Sequence, residues 1–219
     1  MNNLFSSFDP LTFFNLNWNW FSSLLIIFLY PFFFWILPSR WNFIYNFFYF
    51  FIYKEFKILI YNKNNILIFT SLFMLILINN FMGLFPYIFT SSSHMVFTLT
   101  FSIPLWMSFM IFGYLNNLFH MLAHMVPNSA PQPLLPFLVI IESTSNIIRP
   151  STLAIRLTAN MIAGHLLLTL LGNSCNKLPL IFLSSLFLIQ MLLLTLESAV
   201  AIIQSYVFSI LTTLYSSEV

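Results

Sequence analysis

The chain has 219 residues, 60% of them hydrophobic and only 5% charged, with a net charge of +2 and a mean hydropathy of +0.93. A soluble domain carries about a quarter charged residues because its surface must be hydrated, so this surface is built to meet lipid. The small net charge, with no basic patch among aromatics, gives no basis for a nucleic-acid partner, and a lone Cys175 excludes a disulfide framework or thiolate metal cluster within the chain. The length fits one polytopic bundle, a single membrane domain over 1–219, because no stretch is polar enough to form a second, soluble one.

Residues 1–20 are polar and aromatic, with Trp18 and Trp20 placed for a membrane interface. They lack the basic start and small-residue cleavage site of a signal peptide and the arginines of a transit peptide. The first apolar segment is therefore expected to remain in the mature protein. A first span is expected over 21–37, interrupted by Pro31 and ended by Pro38, since proline cannot continue the helical ladder and restricts the residue before it. Segment 41–61 is rich in Phe and Tyr yet carries Lys54, Glu55 and Lys57, and reads as an interfacial amphipathic segment lying on the membrane. A second, poor span is the alternative for it.

Clean spans follow at 66–85, closed by Pro86, and at 95–115, where Pro104 is tolerable in a membrane helix. Ser91 to His94 form the loop between them, and 116–133 is a connection punctuated by Pro127, Pro131 and Pro133. Two long apolar segments remain, 134–171 and 178–215. As continuous helices each would run about 57 Å at about 1.5 Å per residue, against a hydrocarbon core about 30 Å thick. Each must tilt steeply, curve or break, with Pro136, Pro150 and Pro179 as candidate bends. The expected fold is an all-α polytopic membrane protein. It has one N-terminal span, an interfacial segment, a helical hairpin and two long, steeply tilted C-terminal helices. Arg40, Lys54, Lys57 and Lys63 all fall in the first connection, which the positive-inside rule places on the cytoplasm-like side. With five membrane segments the N-terminus lies opposite and the C-terminus returns to the basic side.

The stretch from Glu142 to Leu171 gathers one carboxylate, two of the three arginines, two asparagines and a histidine among apolar residues. An ionisable side chain within the bilayer forfeits hydration and marks a functional site by default. At about 100° per residue, Glu142, Arg149 and Arg156 recur every seven positions near one helix face, drifting about 20° each time. Asn160 lies one turn beyond Arg156 on the same side, and Ala159, Ala163 and Gly164 are small enough to let another helix approach. His165, nine positions from Arg156, falls on the opposite face. In the last segment Gln190, Glu197 and Gln204 also recur every seven residues, a polar stripe of about 21 Å on an apolar helix.

A hydrated proton path needs such groups, because apolar walls exclude charge and water. Structural readings stand beside this one. Arg156 could snorkel or be salt-bridged, Arg149 could mark a water-exposed end broken by Pro150, and Glu197 and His165 could pair only to offset each other's burial. Asn160, Gln190 and Gln204 could be ordinary interhelical hydrogen-bond partners. His94, His120 and His124 fall in or near loops and read as solvated, and the spacing of the last two is a weak metal signal. The four scattered glycines form no phosphate loop.

IRPSTLAIRLTANMIAGHLLLTLLG and LLLTLESAVAIIQSYVF resemble the paired signatures of the subunit a family of rotary ATP synthases, in its mitochondrial form. NLFSSFDP, IPLWMSFM and PQPLLPFLVIIES fit the same family, and the likeness runs from end to end, with 40–65 generic. The resemblance implies a non-catalytic proton-channel subunit of the mitochondrial inner membrane. Its hairpin would pack against a ring of c subunits and alongside other membrane and peripheral-stalk subunits, with no cofactor or metal. It implies two offset half-channels separated by Arg156, which would favour the ionised ring carboxylate. His165 and Glu197 match a pair lining the intermembrane-space half-channel, in the mitochondrial rather than the exchanged bacterial order. Asn160 and Gln204 match polar residues near the arginine, and Glu142 an acid of the matrix half-channel. The N-terminus would lie in the intermembrane space and the C-terminus on the matrix side. A scaffold subunit with no proton path is the alternative.

Overall fold

The computed structural model describes residues 4–12, 16–31, 36–60, 65–126, 132–174 and 179–218. Among these the chain is helical throughout, with no strand. After short 3-10 turns at Leu4–Phe8 and Trp18–Leu24 come α1 (Leu25–Leu29), α2 (Arg40–Leu59), α3 (Ile66–Gly83), α4 (Met95–Asn116), α5 (Leu118–His124), α6 (Leu135–Ser174) and α7 (Leu180–Glu218). Four of them, α3, α4, α6 and α7, are long and apolar enough to cross a membrane.

The first expected span differs in form. Its apolar helix runs over Trp18–Leu29, shorter than the four long ones. Tyr30 is extended, at φ −71° and ψ 121°, because it precedes Pro31 and the proline ring disfavours helical geometry one residue earlier. Residues 32–35 of that span lie outside the described residues, as do Lys63, Pro127 and Cys175. The helix α2 begins where Ser39 Oγ accepts the amide of Asn42 at 3.3 Å, a polar cap that satisfies one of the free N–H groups of the first turn. It turns Ile52 and Phe56 onto α3, where Phe69, Phe73 and Met74 complete a buried cluster.

The long helices run unbroken. Of the three prolines placed as bends, Pro136 sits in the first turn of α6 and Pro179 just before α7, where a missing N–H costs nothing. Pro150 lies inside α6, which continues through it. At about 60 Å by the helical rise, α6 and α7 each exceed the about 30 Å hydrocarbon thickness twofold.

Lipid tails are as apolar as leucine, so packing between such helices rests on close van der Waals fit and small residues rather than on water exclusion. The face that α7 turns to the bundle follows this rule. Ser205, Ser209 and Thr213 are fully buried beside Phe208, which packs with Leu72, Ile76, Leu153 and Leu157 of α3 and α6. Their hydroxyls return to the helix itself, with Ser205 donating to the Ile202 carbonyl at 2.7 Å and Thr213 to Ile210 at 2.7 Å. Small polar residues thus bring backbones together without leaving donors orphaned. Most of α7 faces outward: in its most apolar window only 17% of residues are buried.

Candidate polar seam between the two long helices

The hairpin brings α6 and α7 together antiparallel, and the polar side chains meet in one register. Asn160 Nδ2 donates to Gln204 Oε1 at 3.1 Å. Five residues along α6, His165 Nε2 stands 4.0 Å from Glu197 Oε1. That is ion-pair distance but longer than a hydrogen bond, and neither Glu197 oxygen nor His165 Nε2 has a hydrogen-bond partner among the described residues. Glu197 and Gln204 are each only 6% exposed, so the seven-residue stripe on α7 turns inward at these two positions. Gln190, two heptads before Gln204, is half-buried and borders a cavity with His165.

Gly164 makes this approach possible. A Cβ at that position would lie 2.6 Å from the Glu197 carboxyl carbon, closer than side-chain carbons approach. Ala159 and Ala163 are exposed with Arg156, whereas Gly164 turns to α7. The three small residues, all expected to let another helix approach, thus serve two surfaces, and Gly164 belongs to the seam with α7.

Arg156 lies on the opposite side of α6 from its buried residues Leu153, Ala154, Leu157 and Thr158. The side chain is exposed, and its guanidinium has no ion-pair or hydrogen-bond partner among the described residues. Ile155, Ala159, Asn160 and Ala163 share that open face. Arg149, seven residues earlier, is engaged: its Nη2 donates to Glu142 Oε1 at 3.3 Å and its guanidinium lies 5.9 Å from the ring centre of Tyr215. Glu142 therefore sits at the far end of α6 from His165, paired within its own helix.

At the His165 end a cavity of about 980 Å³ opens between the N-terminal segment, the α3–α4 loop, α6 and α7. Asp9, Asn19, His165, Thr169 and Gln190 give it a polar lining. His94, read as solvated from its loop position, is instead packed against Trp20 and Phe89, with ring centres 5.1 and 5.2 Å away, and those two rings also touch each other at 5.8 Å. Its Nε2 contacts the Phe8 carbonyl at 2.9 Å. His120 and His124 are exposed on α5, and no cluster among the described residues could hold a metal ion. Phe8 and His94 had no local signal in the sequence, because their contact joins segments 86 residues apart.

Four overlong or span-length apolar helices, two of them joined by a seam of carboxylate, imidazole and amide groups, define a multi-pass membrane protein with polar chemistry inside its bundle. Residues 16–217 match the family described as ATP synthase A chain. The chain is 57% identical over 223 residues to "ATP synthase subunit a" of Locusta migratoria. It is 55% identical over 222 residues to the protein of that name in Drosophila melanogaster, and 56% identical over 224 to that of Anopheles gambiae. Each of these alignments covers 100% of this chain and 99% of the relative. The chain belongs to the ATP synthase A chain family.

Proposed function

We propose that this chain is the proton-conducting stator subunit of a mitochondrial ATP synthase, set against a ring of c subunits. Two offset half-channels would admit protons to ring carboxylates from one side and release them to the other. The observation that carries this reading is the open face of α6, where Arg156, unpartnered among the described residues, stands among small residues beside two polar pairs shared with α7. A charged side chain in hydrocarbon costs at least about 2.5–3.5 kcal/mol on insertion scales. A carboxylate approaching Arg156 from a neighbouring subunit would offset that cost and would itself be held ionised.

The guanidinium cannot release its proton in a protein. Arg156 therefore acts as a fixed electrostatic barrier between the half-channels and not as a relay. The His165–Glu197 pair lines the half-channel on the N-terminal side, with Asn160 and Gln204 carrying its polar wall toward the arginine. Glu142 lines the other half-channel, at the Arg149 end. We assign the N-terminus to the intermembrane space and the C-terminus to the matrix. ATP chemistry belongs to other subunits of the complex, and other membrane and peripheral-stalk subunits complete the stator.

The test is ATP-driven proton pumping by sealed membranes carrying Arg156→Ala, with assembly of the complex measured in the same preparation. Pumping should be lost in an assembled complex, with an added passive leak. Normal coupled pumping would make Arg156 structural and leave the scaffold reading standing.

A further inference from the structure

We propose that the N-terminal segment Leu4–Thr12 forms the outer wall of the mouth that leads protons to His165, with Phe8 narrowing that mouth and His94 holding Phe8 in place. This rests on the reading that His165 and Glu197 lie on a proton path. The Phe8 ring stands edge-on to the His165 imidazole, with centres 6.2 Å apart and planes at 86°. The cavity of about 980 Å³ meets His165 at this point. At about 30 Å³ per molecule of liquid water, it has room for tens of waters. Phe8 is the apolar group that limits their access to the ring.

His94 is the positioning residue. A carbonyl oxygen only accepts, so the 2.9 Å contact to Phe8 requires the proton on His94 Nε2. Phe89 stacks on the His94 ring and Trp20 packs against both, so the three rings form one cluster that holds the imidazole in place. Asn19 Nδ2 donates to the Asp9 carbonyl at 3.0 Å, and Ser22 Oγ to the Phe89 carbonyl at 2.9 Å. The N-terminal segment and the α3–α4 loop are thereby tied into one rim. Asp9 is the one carboxylate lining the cavity among the described residues. A fixed negative charge at the entrance of a narrow, low-dielectric path concentrates cations, protons included.

The experiment uses the assembled complex in sealed vesicles, with Cys175→Ser to remove the native thiol and Thr169→Cys as a reporter on the cavity wall. A membrane-impermeant methanethiosulfonate is applied from each side in turn. The reporter should react only from the side that carries the N-terminus. Phe8→Ala and His94→Ala should each speed that reaction several-fold. His94→Gln keeps an N–H donor and should react at the parent rate. Reaction from the opposite side would overturn the proposal, and so would unchanged rates in both alanine variants. Pumping by Arg156→Ala in the same vesicles separates the two ideas. If that variant still pumps, the proton-path reading fails whatever the labelling shows. If it does not pump and labelling is unmoved, only the wall and the Phe8 constriction fail.

Discussion

Two arginines seven residues apart on α6 occupy opposite circumstances. Arg149 has its counter-charge within the chain, 3.3 Å away on Glu142, and an aromatic face against its guanidinium. Arg156 is exposed and unpartnered among the described residues, in the middle of an apolar helix. The first is a closed account: its charge is compensated by groups that fold with it. The second is open, and an open charge in hydrocarbon can be compensated only by water or by another subunit. The helix supplies the same backbone to both, so the difference lies in what faces each side chain. A charge left unpaired among the described residues is where we propose that a neighbouring subunit docks.

The contrast is broken most directly by Arg156→Lys. If Arg156 only needs to be positive, lysine should suffice. If it must stay charged beside a carboxylate in a dry interface, lysine should fail, because an ammonium loses its proton on burial far more readily than a guanidinium. We expect ATP-driven pumping to be nearly abolished in an assembled complex, and pumping at the parent rate would remove the requirement for arginine. Next in size is Gly164→Ala. The added methyl would meet the Glu197 carboxyl carbon at 2.6 Å, so either the carboxylate turns away or α6 and α7 separate. Overpacking of this kind costs about 1–3 kcal/mol of stability, and either way of relieving it moves the Glu197 carboxylate. Pumping should therefore fall clearly below the parent rate in an assembled complex. An unchanged rate would show that the placement of Glu197 against α6 is incidental.

The parts of the molecule legible in the sequence are those written in a local period. The apolar runs from 66 and from 95 fall on helices α3 and α4, since a long apolar segment can satisfy its backbone within itself as a helix. The seven-residue recurrence of Glu197 and Gln204 put both on one face, and both are buried there against α6. What the period could not carry was depth. Arg149 and Arg156 share a heptad position, yet only one finds a partner among the described residues, because Glu142 lies within side-chain reach of Arg149 and two turns farther from Arg156. Nor does spacing alone show Gly164 facing Glu197, since that depends on the register between α6 and α7. The His94–Phe8 contact is the extreme case, fixed by tertiary packing over 86 residues with no periodic trace. Pro31 shows a local rule acting more strongly than the apolar run around it. The helix yields at Tyr30 although hydropathy alone would carry it on.

The smallest expected effects come from the closed end of α6, and they sharpen the comparison most finely. The Glu142–Arg149 side chains are 36% and 35% exposed, so their ion pair is partly solvated and worth no more than about 1 kcal/mol. Arg149→Ala should leave an assembled complex pumping within about fivefold of the parent, the rate equivalent of that energy. Glu142→Gln should cost more than Arg149→Ala, because the carboxylate is both the partner of the arginine and our proposed lining group of the second half-channel. In the double variant the loss should match Glu142→Gln alone, since removing the carboxylate already removes the pair and only coupled sites depart from additivity. Were Arg149→Ala to abolish pumping as Arg156→Ala is expected to, pairing within the chain would not be what distinguishes the two arginines. The open face would then lose its special standing.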